Sequence, residues 1–343
     1  MQDDAARRKR AARASSSPTV ATDAADFFVR DTRAGALRPG RSLTDEGPVP
    51  PDPEESPISA ADPIRPAPVR QRSHGVVRLR VAPAGSAEGR PGPTRIVDLA
   101  ESGPLRLRVP RQGAEAMLEG VLVNTGGGIA CGDRFAVEVT VEAGGHCVLT
   151  TTAAEKIYRS DGPSAEIENR VSVGPGARLD WLPQETILFD HARLRRRFEA
   201  DLAPDAALLV AEIVVLGRAA RGEQLAEALF EDRWRIRRDG RLAYADSLRL
   251  DGAVTALMAR RATGGGARAF ATLLDLSPGA EARLEEASTL LDALPSAVEA
   301  GASAWNGHLA VRMLAPAIAP LREGAARFLA AWRGRPMPRV WQS

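Results

Sequence analysis

VNTGGGIACGDRFAVEVTVEAGGHCVLTTTAAEKIYRS, residues 123–160, joins a glycine-rich turn, two strands and a polar strand end. Within it, FAVEVTV (135–141) alternates Phe135, Val137, Val139 and Val141 with Ala136, Glu138 and Thr140, the period-2 signature of a strand with one buried face. His146 to Thr152 predicts a second strand. The unit of apolar run, short turn carrying Gly or Pro and then Ala or Gly, and second apolar run occurs as VEAGGHCVL (141–149), VGPGARLDWL (173–182), LAPDAALLV (202–210) and LSPGAEARL (276–284). The first three follow one another at about thirty residues, a period that marks stacked units, and each predicts a hairpin.

Further strand-like runs lie between these units: AEIENRVSV (165–173), TILFD (186–190), RLRRRFEAD (193–201) and ALLVAEIVVL (207–216). The fold class that follows is mainly β, in stacked layers of short strands and hairpins. After Pro278 the periodicity changes. Leu284, Ala287, Leu290, Leu291 and Leu294 fall at helical spacing and predict a helix over 281–294; Leu321, Ala325, Phe328, Leu329 and Trp332 predict another over 320–332. These helices form a small C-terminal helical part that covers a sheet face.

Residues 1–70 differ from the rest, with RRKRAARASSSP (7–18), an acidic PDPEE (51–55) and many prolines, and are expected to be a disordered Pro/Arg/Ser-rich extension ahead of a β-rich domain over 71–343. No continuous apolar segment of secretory type follows the basic start. Across the 343 residues, 46 Lys and Arg nearly balance 44 Asp and Glu, which gives no general reason to expect nucleic acid or an anionic membrane as partner. No apolar run reaches the roughly 18 residues of a membrane span. The two cysteines, Cys131 and Cys147, lack CxxC spacing and fit a reducing compartment, so the expected localisation is cytoplasmic.

Several catalytic patterns are excluded locally. From Gly127 to Gly132 the chain fits the first half of a phosphate loop, but Asp133 and Arg134 stand where its lysine and hydroxyl would be. GASAW (301–305) fails as a nucleophile elbow at Trp305. The four histidines, His74, His146, His191 and His308, include no HExxH pair, so no permanently bound zinc is expected. What remains is a set of carboxylates in or beside apolar strands: Asp133, Glu185, Asp190 and Glu212. Glu212 is the sharpest, since LLVAEIVVLG buries it among apolar neighbours and an unpartnered buried charge costs several kcal/mol. It requires an internal ion pair, with Arg193 to Arg197 as candidates, or a polar passage or metal site that it lines.

VNTGGGIACGDR, TTTAAEKIYRS, WLPQETILFD and EIVVLGR, in this order and spacing, resemble the signature segments of the urease accessory protein D family, called UreD or UreH. The resemblance runs from about Val76 to the terminal PRVW (338–341). It implies a non-catalytic maturation factor, a chaperone of metallocenter assembly, that binds apo-urease together with UreF and UreG and helps nickel reach the urease active site. UreG is the GTPase of that group. It also implies strands wound in helicoidal, β-helix-like layers, an internal nickel channel, and transient nickel(II) with no resident cofactor. Carried onto this chain, Gly127, Gly128 and Gly132 with Asp133 form the first motif, and Thr151, Lys156, Tyr158 and Arg159 the second. Gln184, Glu185 and Asp190 form the third, Glu212 and Arg218 the fourth. Glu185 and Glu212, then Asp133 and Asp190, are the expected metal path, because weak oxygen ligands bind a divalent cation without near-irreversible capture.

Cys131 departs from the family pattern and reads either as a nickel ligand or as a small buried hydrophobe beside a turn. His146 and Cys147 cannot both face one side of a regular strand. RLRRRF (193–198) and PRVW are candidate partner surfaces, although alternate arginines also suit the solvated face of a strand. Two alternatives stay open: a purely structural scaffold that never touches metal, and a β-solenoid carbohydrate enzyme using Glu185 and Asp190 as acid and base. An aromatic content of 4% disfavours the second, which wants a sugar platform.

Overall fold

The structure, a computed structural model, describes residues 72–87, 90–110 and 117–342, all within the unit Ala67–Ser343. The expected N-terminal extension over 1–70 lies outside the described residues. In chain order the elements are β1 (His74–Pro83), β2 (Ser86–Ala87), β3 (Arg90–Pro91), β4 (Thr94–Ser102), β5 (Leu105–Arg108) and β6 (Leu118–Asn124). A winding part follows with β7 (Arg134–Val141), β8 (His146–Thr151), β9 (Glu155–Ile157), β10 (Ala165–Val173), β11 (Arg178–Leu182), β12 (Thr186–Leu188), β13 (Arg193–Leu202) and β14 (Ala207–Leu216). The remainder is β15 (Ala228–Arg238), β16 (Arg241–Gly252), α1 (Val254–Met258), β17 (Ala269–Asp275), α2 (Leu284–Asp292), β18 (Glu299–Trp305), β19 (His308–Ala315) and α3 (Ile318–Arg333).

Two sheets face each other. One has the order β16-β15-β13-β10-β7-β1-β4; the other runs β18-β19-β17-β14-β11-β8-β6-β5, with β9 and β12 paired at its margin. The chain crosses from the first sheet to the second on each coil, so the fold is the expected mainly β, stacked, β-solenoid-like one. The connections at 141–149, 173–182 and 202–210, however, are not the expected hairpins. β7 pairs in parallel with β1 and β10, and β8 in parallel with β6 and β11, so the strands flanking the 141–149 turn never pair with each other. The repeated turns are corners, and they stack: Gly174 N–H donates to Val141 O, Ala203 N–H to Val173 O, Arg178 N–H to Gly145 O and Ala207 N–H to Ala177 O. A hairpin turn and a corner use the same Gly, Pro and Ala chemistry; only the position of the next coil decides between them. The fourth turn, 276–284, leaves β17 through Gly279 at φ +82° and enters a short 3-10 turn and α2.

Burial explains the two sequence textures. The first sheet has one solvated face, so β7 alternates and its outer face carries cross-strand ion pairs such as Arg78–Glu138 at 2.8 Å and Arg197–Glu168 at 3.3 Å. The second sheet is covered on both faces, by the first sheet and by the helices, so β14 reads as a nearly unbroken apolar run. α3 buries Leu321, Ala325, Phe328, Leu329 and Trp332, the stripe expected over 320–332. α2 buries Ala287, while Leu290, Leu291 and Leu294 pack partly against the same core and Leu284 is exposed.

Candidate functional site

The four sequence motifs occupy one corner of successive coils. β9 and β12 pair in parallel, as do β12 and β14, placing Ile157, Leu188 and Leu216 in one row, which Ile129 extends through a bridge to Ile157. Around this row a polar and aromatic column rises. Tyr158 donates its hydroxyl to Gly127 O at 2.8 Å and meets Phe189 edge-on at 5.3 Å. The Arg218 guanidinium lies 4.3 Å from the Phe189 ring centre and pairs with Glu223 at 2.6 Å, which holds the Glu223 carboxyl down at about 2. Gly128 is at φ +154°, and a Cβ there would meet Tyr158 Cε2 at 2.4 Å and Lys156 O at 2.9 Å, so this position requires glycine.

Inside this corner, between the two sheets, is a cavity of about 250 Å³. Its outer end is formed by the exposed residues Thr152, Ala153 and Lys156, its wall includes Asn124, Glu155, Thr186 and Trp181, and its inner end is Arg196 and Glu212. Burial pushes the Glu155 carboxyl up to about 7, although Asn124 donates to it at 3.1 Å. At the inner end, Arg196 N–H groups donate to Glu212 Oε2 at 2.5 Å, to Asp232 Oδ1 and Oδ2 at 3.1 and 2.7 Å, and to Thr186 Oγ1 at 3.3 Å. Glu212 Oε1 accepts from the Trp181 indole at 3.1 Å. Arg196 and Glu212 are each 4% exposed. Burial holds the Glu212 carboxyl above its ordinary range, against the pull of the adjacent guanidinium. The buried charge therefore has its ion-pair partner on β13, and it also lines a cavity.

The other expected carboxylates are placed elsewhere. Asp133 accepts from the Ser73 and Ala130 amides, both at 2.8 Å, and fixes the glycine turn. Asp190 accepts from the Ala226 and Glu227 amides at 2.8 and 3.2 Å, its other oxygen 3.4 Å from His191. Glu185 faces α3, where Arg322 stands 3.8 Å away and its second carboxylate oxygen is buried without a hydrogen bond. Gln184 donates to Thr151 O, Thr152 O and Val340 O and accepts from Arg322. Thr151 Oγ1 accepts from the Gln184 amide at 2.9 Å. Gly132, at φ +77°, turns the chain before Asp133, and Arg159 bridges to Ala192. Cys131 is 3% exposed, accepting from Arg72 at 3.1 Å and donating to Asp161 at 3.3 Å. Cys147 faces the inter-sheet core, where burial pushes its thiol far up; His146 lies on the opposite face, and burial lowers it to about 4. Among the described residues no group of three or more His, Cys, Asp or Glu is placed to hold a metal ion.

Of the expected carboxylates, the cavity thus gathers Glu212, and it adds Arg196, one of the arginines expected as its partner, with Asp232 behind it, and Glu155, the last two not expected from the sequence. A signal for two of these exists. Arg196 shares its strand face with Leu194 and Phe198, and Asp232 with Phe230 and Trp234, so period 2 points both inward. Of the candidate partner surfaces, RLRRRF presents Arg195 and Arg197 outward, each in ion pairs with neighbouring strands. In PRVW, Trp341 is 6% exposed and its indole donates to Thr150 Oγ1 and Leu182 O, both at 3.1 Å, so this anchor is spent within the chain.

Residues 73–342 match the family described as UreD urease accessory protein. A urease accessory protein UreD of Methylorubrum extorquens strain PA1 is 82% identical over 287 residues, covering 84% of this chain and 96% of that protein. One from Methylorubrum populi is 82% identical over 283 residues, 82% of this chain and 95% of the relative. Another from Methylobacterium radiotolerans is 61% identical over 298 residues, covering 87% and 99%.

Proposed function

Since the chain belongs to the UreD family of urease accessory proteins, we propose that it acts in urease maturation as a scaffold and nickel conduit, binding apo-urease with UreF and UreG in the cytoplasm. The observation that carries this reading is the cavity between the sheets with Glu212 buried at its inner end, 4% exposed. A hydrated divalent cation needs oxygen donors along its way, and sparse carboxylates hold it weakly enough to let go. Glu155 and Asn124 supply oxygens nearer the outer end. No role in catalysis is needed: the urease-accessory family suggests a non-catalytic part, and nucleotide chemistry would reside in UreG.

The scaffold reading without metal contact draws on a different observation, that Asp133, Asp190 and Gln184 are fully engaged in holding turns and the C-terminus. The carbohydrate-enzyme reading needs Glu185 and Asp190 to act together; they are engaged by Arg322 and by the backbone of Ala226 and Glu227. The deciding experiment measures urease activity in nickel-supplied cells carrying the urease genes and the other accessory genes, with this chain, without it, and with Glu212→Gln. A conduit loses activation in the variant while retaining assembly. A scaffold retains both, and equal activity without the chain ends the maturation reading altogether.

A further inference from the structure

Resting on that conduit reading, we infer that Arg196 is the gate of the interior passage: its guanidinium, locked between Glu212 and Asp232, keeps cations out, and a cation passes only when it leaves that place. The cavity of about 250 Å³ does not end at a plain wall. Beyond it is a second space of about 20 Å³, and Arg196 and Glu212 line both. Thr186 and Trp181 belong to the larger space; Asp232, Asp246 and Trp234 belong to the smaller one. The guanidinium therefore stands at the junction, 4% exposed, fastened to Asp232 through two nitrogens at 3.1 and 2.7 Å and to Glu212 at 2.5 Å.

The guanidinium fills the junction and occupies the facing oxygens of both carboxylates, so a cation that reaches it meets a positive charge in place of free oxygen ligands. Yet the same residues define how the gate opens. When the guanidinium withdraws, two buried carboxylates are left without a counter-charge, an arrangement that a divalent cation neutralises. One positive charge leaves as two arrive, so opening is coupled to arrival and the empty passage stays shut. The withdrawn side chain has somewhere to go, since the larger cavity adjoins it and the Phe230 ring already lies 5.6 Å from its guanidinium carbon.

The test uses the full chain assembled with UreF, UreG and apo-urease, reading the initial rate of urease activation at limiting nickel, with co-elution confirming each assembly. Arg196→Met alone strands two buried carboxylates, so the decisive variant is Arg196→Met with Asp232→Asn, which keeps the shape and leaves Glu212 as the one unpaired carboxylate. Several-fold faster activation by the double variant is the expected result. An unchanged or slower rate from an intact assembly overturns the gate. Glu212→Gln separates the two ideas: if it activates like wild type the conduit reading itself falls, whereas a slow Glu212→Gln beside an unaltered double variant removes the gate alone.

Discussion

Glu155 and His146 are shifted by the same force in opposite electrical senses, because burial penalises whichever form is charged. The Glu155 carboxyl is pushed up to about 7 by burial, only partly offset by Asn124. Between the ordinary carboxylate value and about 7 the folded chain holds a proton that the unfolded chain has lost, so stability from this group falls as pH rises through that window. Glu155→Gln is expected to become more stable than wild type at pH 8 by up to about 2 kcal/mol, with little difference at pH 5. Denaturant unfolding at both pH values checks this; a pH-independent difference would refute it. His146, lowered to about 4, contributes stability that is complete above its ordinary value and is lost as pH falls toward about 4. At the inner end of the cavity the two single substitutions should differ. Arg196→Met leaves Glu212 and Asp232 unpaired and should cost about 3–5 kcal/mol at neutral pH, whereas Glu212→Gln keeps the bidentate Arg196–Asp232 pair and should cost about 1–2. Comparable losses in thermal unfolding would mean that the pair with Asp232 contributes little. The anomaly of Glu212 was legible in its neighbours, and its partner was narrowed to four arginines, Arg193, Arg195, Arg196 and Arg197; the choice of Arg196 follows from strand alternation, since Leu194 and Phe198 flank it on the buried face.

At the scale of elements, the helices and strands follow from spacing, but their attachments do not. α3 is held to the outer face of the second sheet by polar contacts as well as by its apolar stripe. Arg333 donates to Asp180 at 2.9 Å with both side chains 1% exposed, and Trp332 donates to Asp275 at 2.8 Å. Past the helix, the chain returns so that Trp341 seals against β8 and β11 while Gln184 donates to Val340 O. Gln184 thus looks like a site residue in sequence and serves as the clasp for a segment more than a hundred and fifty residues away. Trp341→Ala is expected to cost about 3–5 kcal/mol, since it removes a large buried ring and two hydrogen bonds, and to lower the melting temperature by roughly 10 °C. A change below about 1 kcal/mol in unfolding would show the terminal segment to be peripheral. The corners mark the clearest limit of local reading. Their Gly, Pro and Ala residues announce a reversal, and the reversal carries the chain between layers because each strand finds its hydrogen-bond partners in the coils before and after it.

For the whole molecule, the family match begins at residue 73, and the relatives are covered almost fully while about a sixth of this chain has no counterpart in them. A chain starting at Ala67 is therefore expected to unfold at the same temperature as the full chain and to support urease activation in cells to the same extent. Loss of activation with unchanged unfolding would assign a function to the first 66 residues. The sequence by itself determined the mainly β class, the repeat of about thirty residues, the two C-terminal helices and the isolated carboxylate at 212, because periodicity and the cost of burying charge act on neighbouring residues. Tertiary structure alone decided that the repeats coil rather than fold back, that four motifs stack at one corner, and that Glu212, Arg196 and Asp232 meet across two sheets while Glu185, Asp133 and Asp190 go elsewhere. The reason is physical: hydrogen-bond partners in a coiled β fold lie one turn of the chain away, so which side chains share a cavity is set by the register between coils, which no local stretch of residues contains.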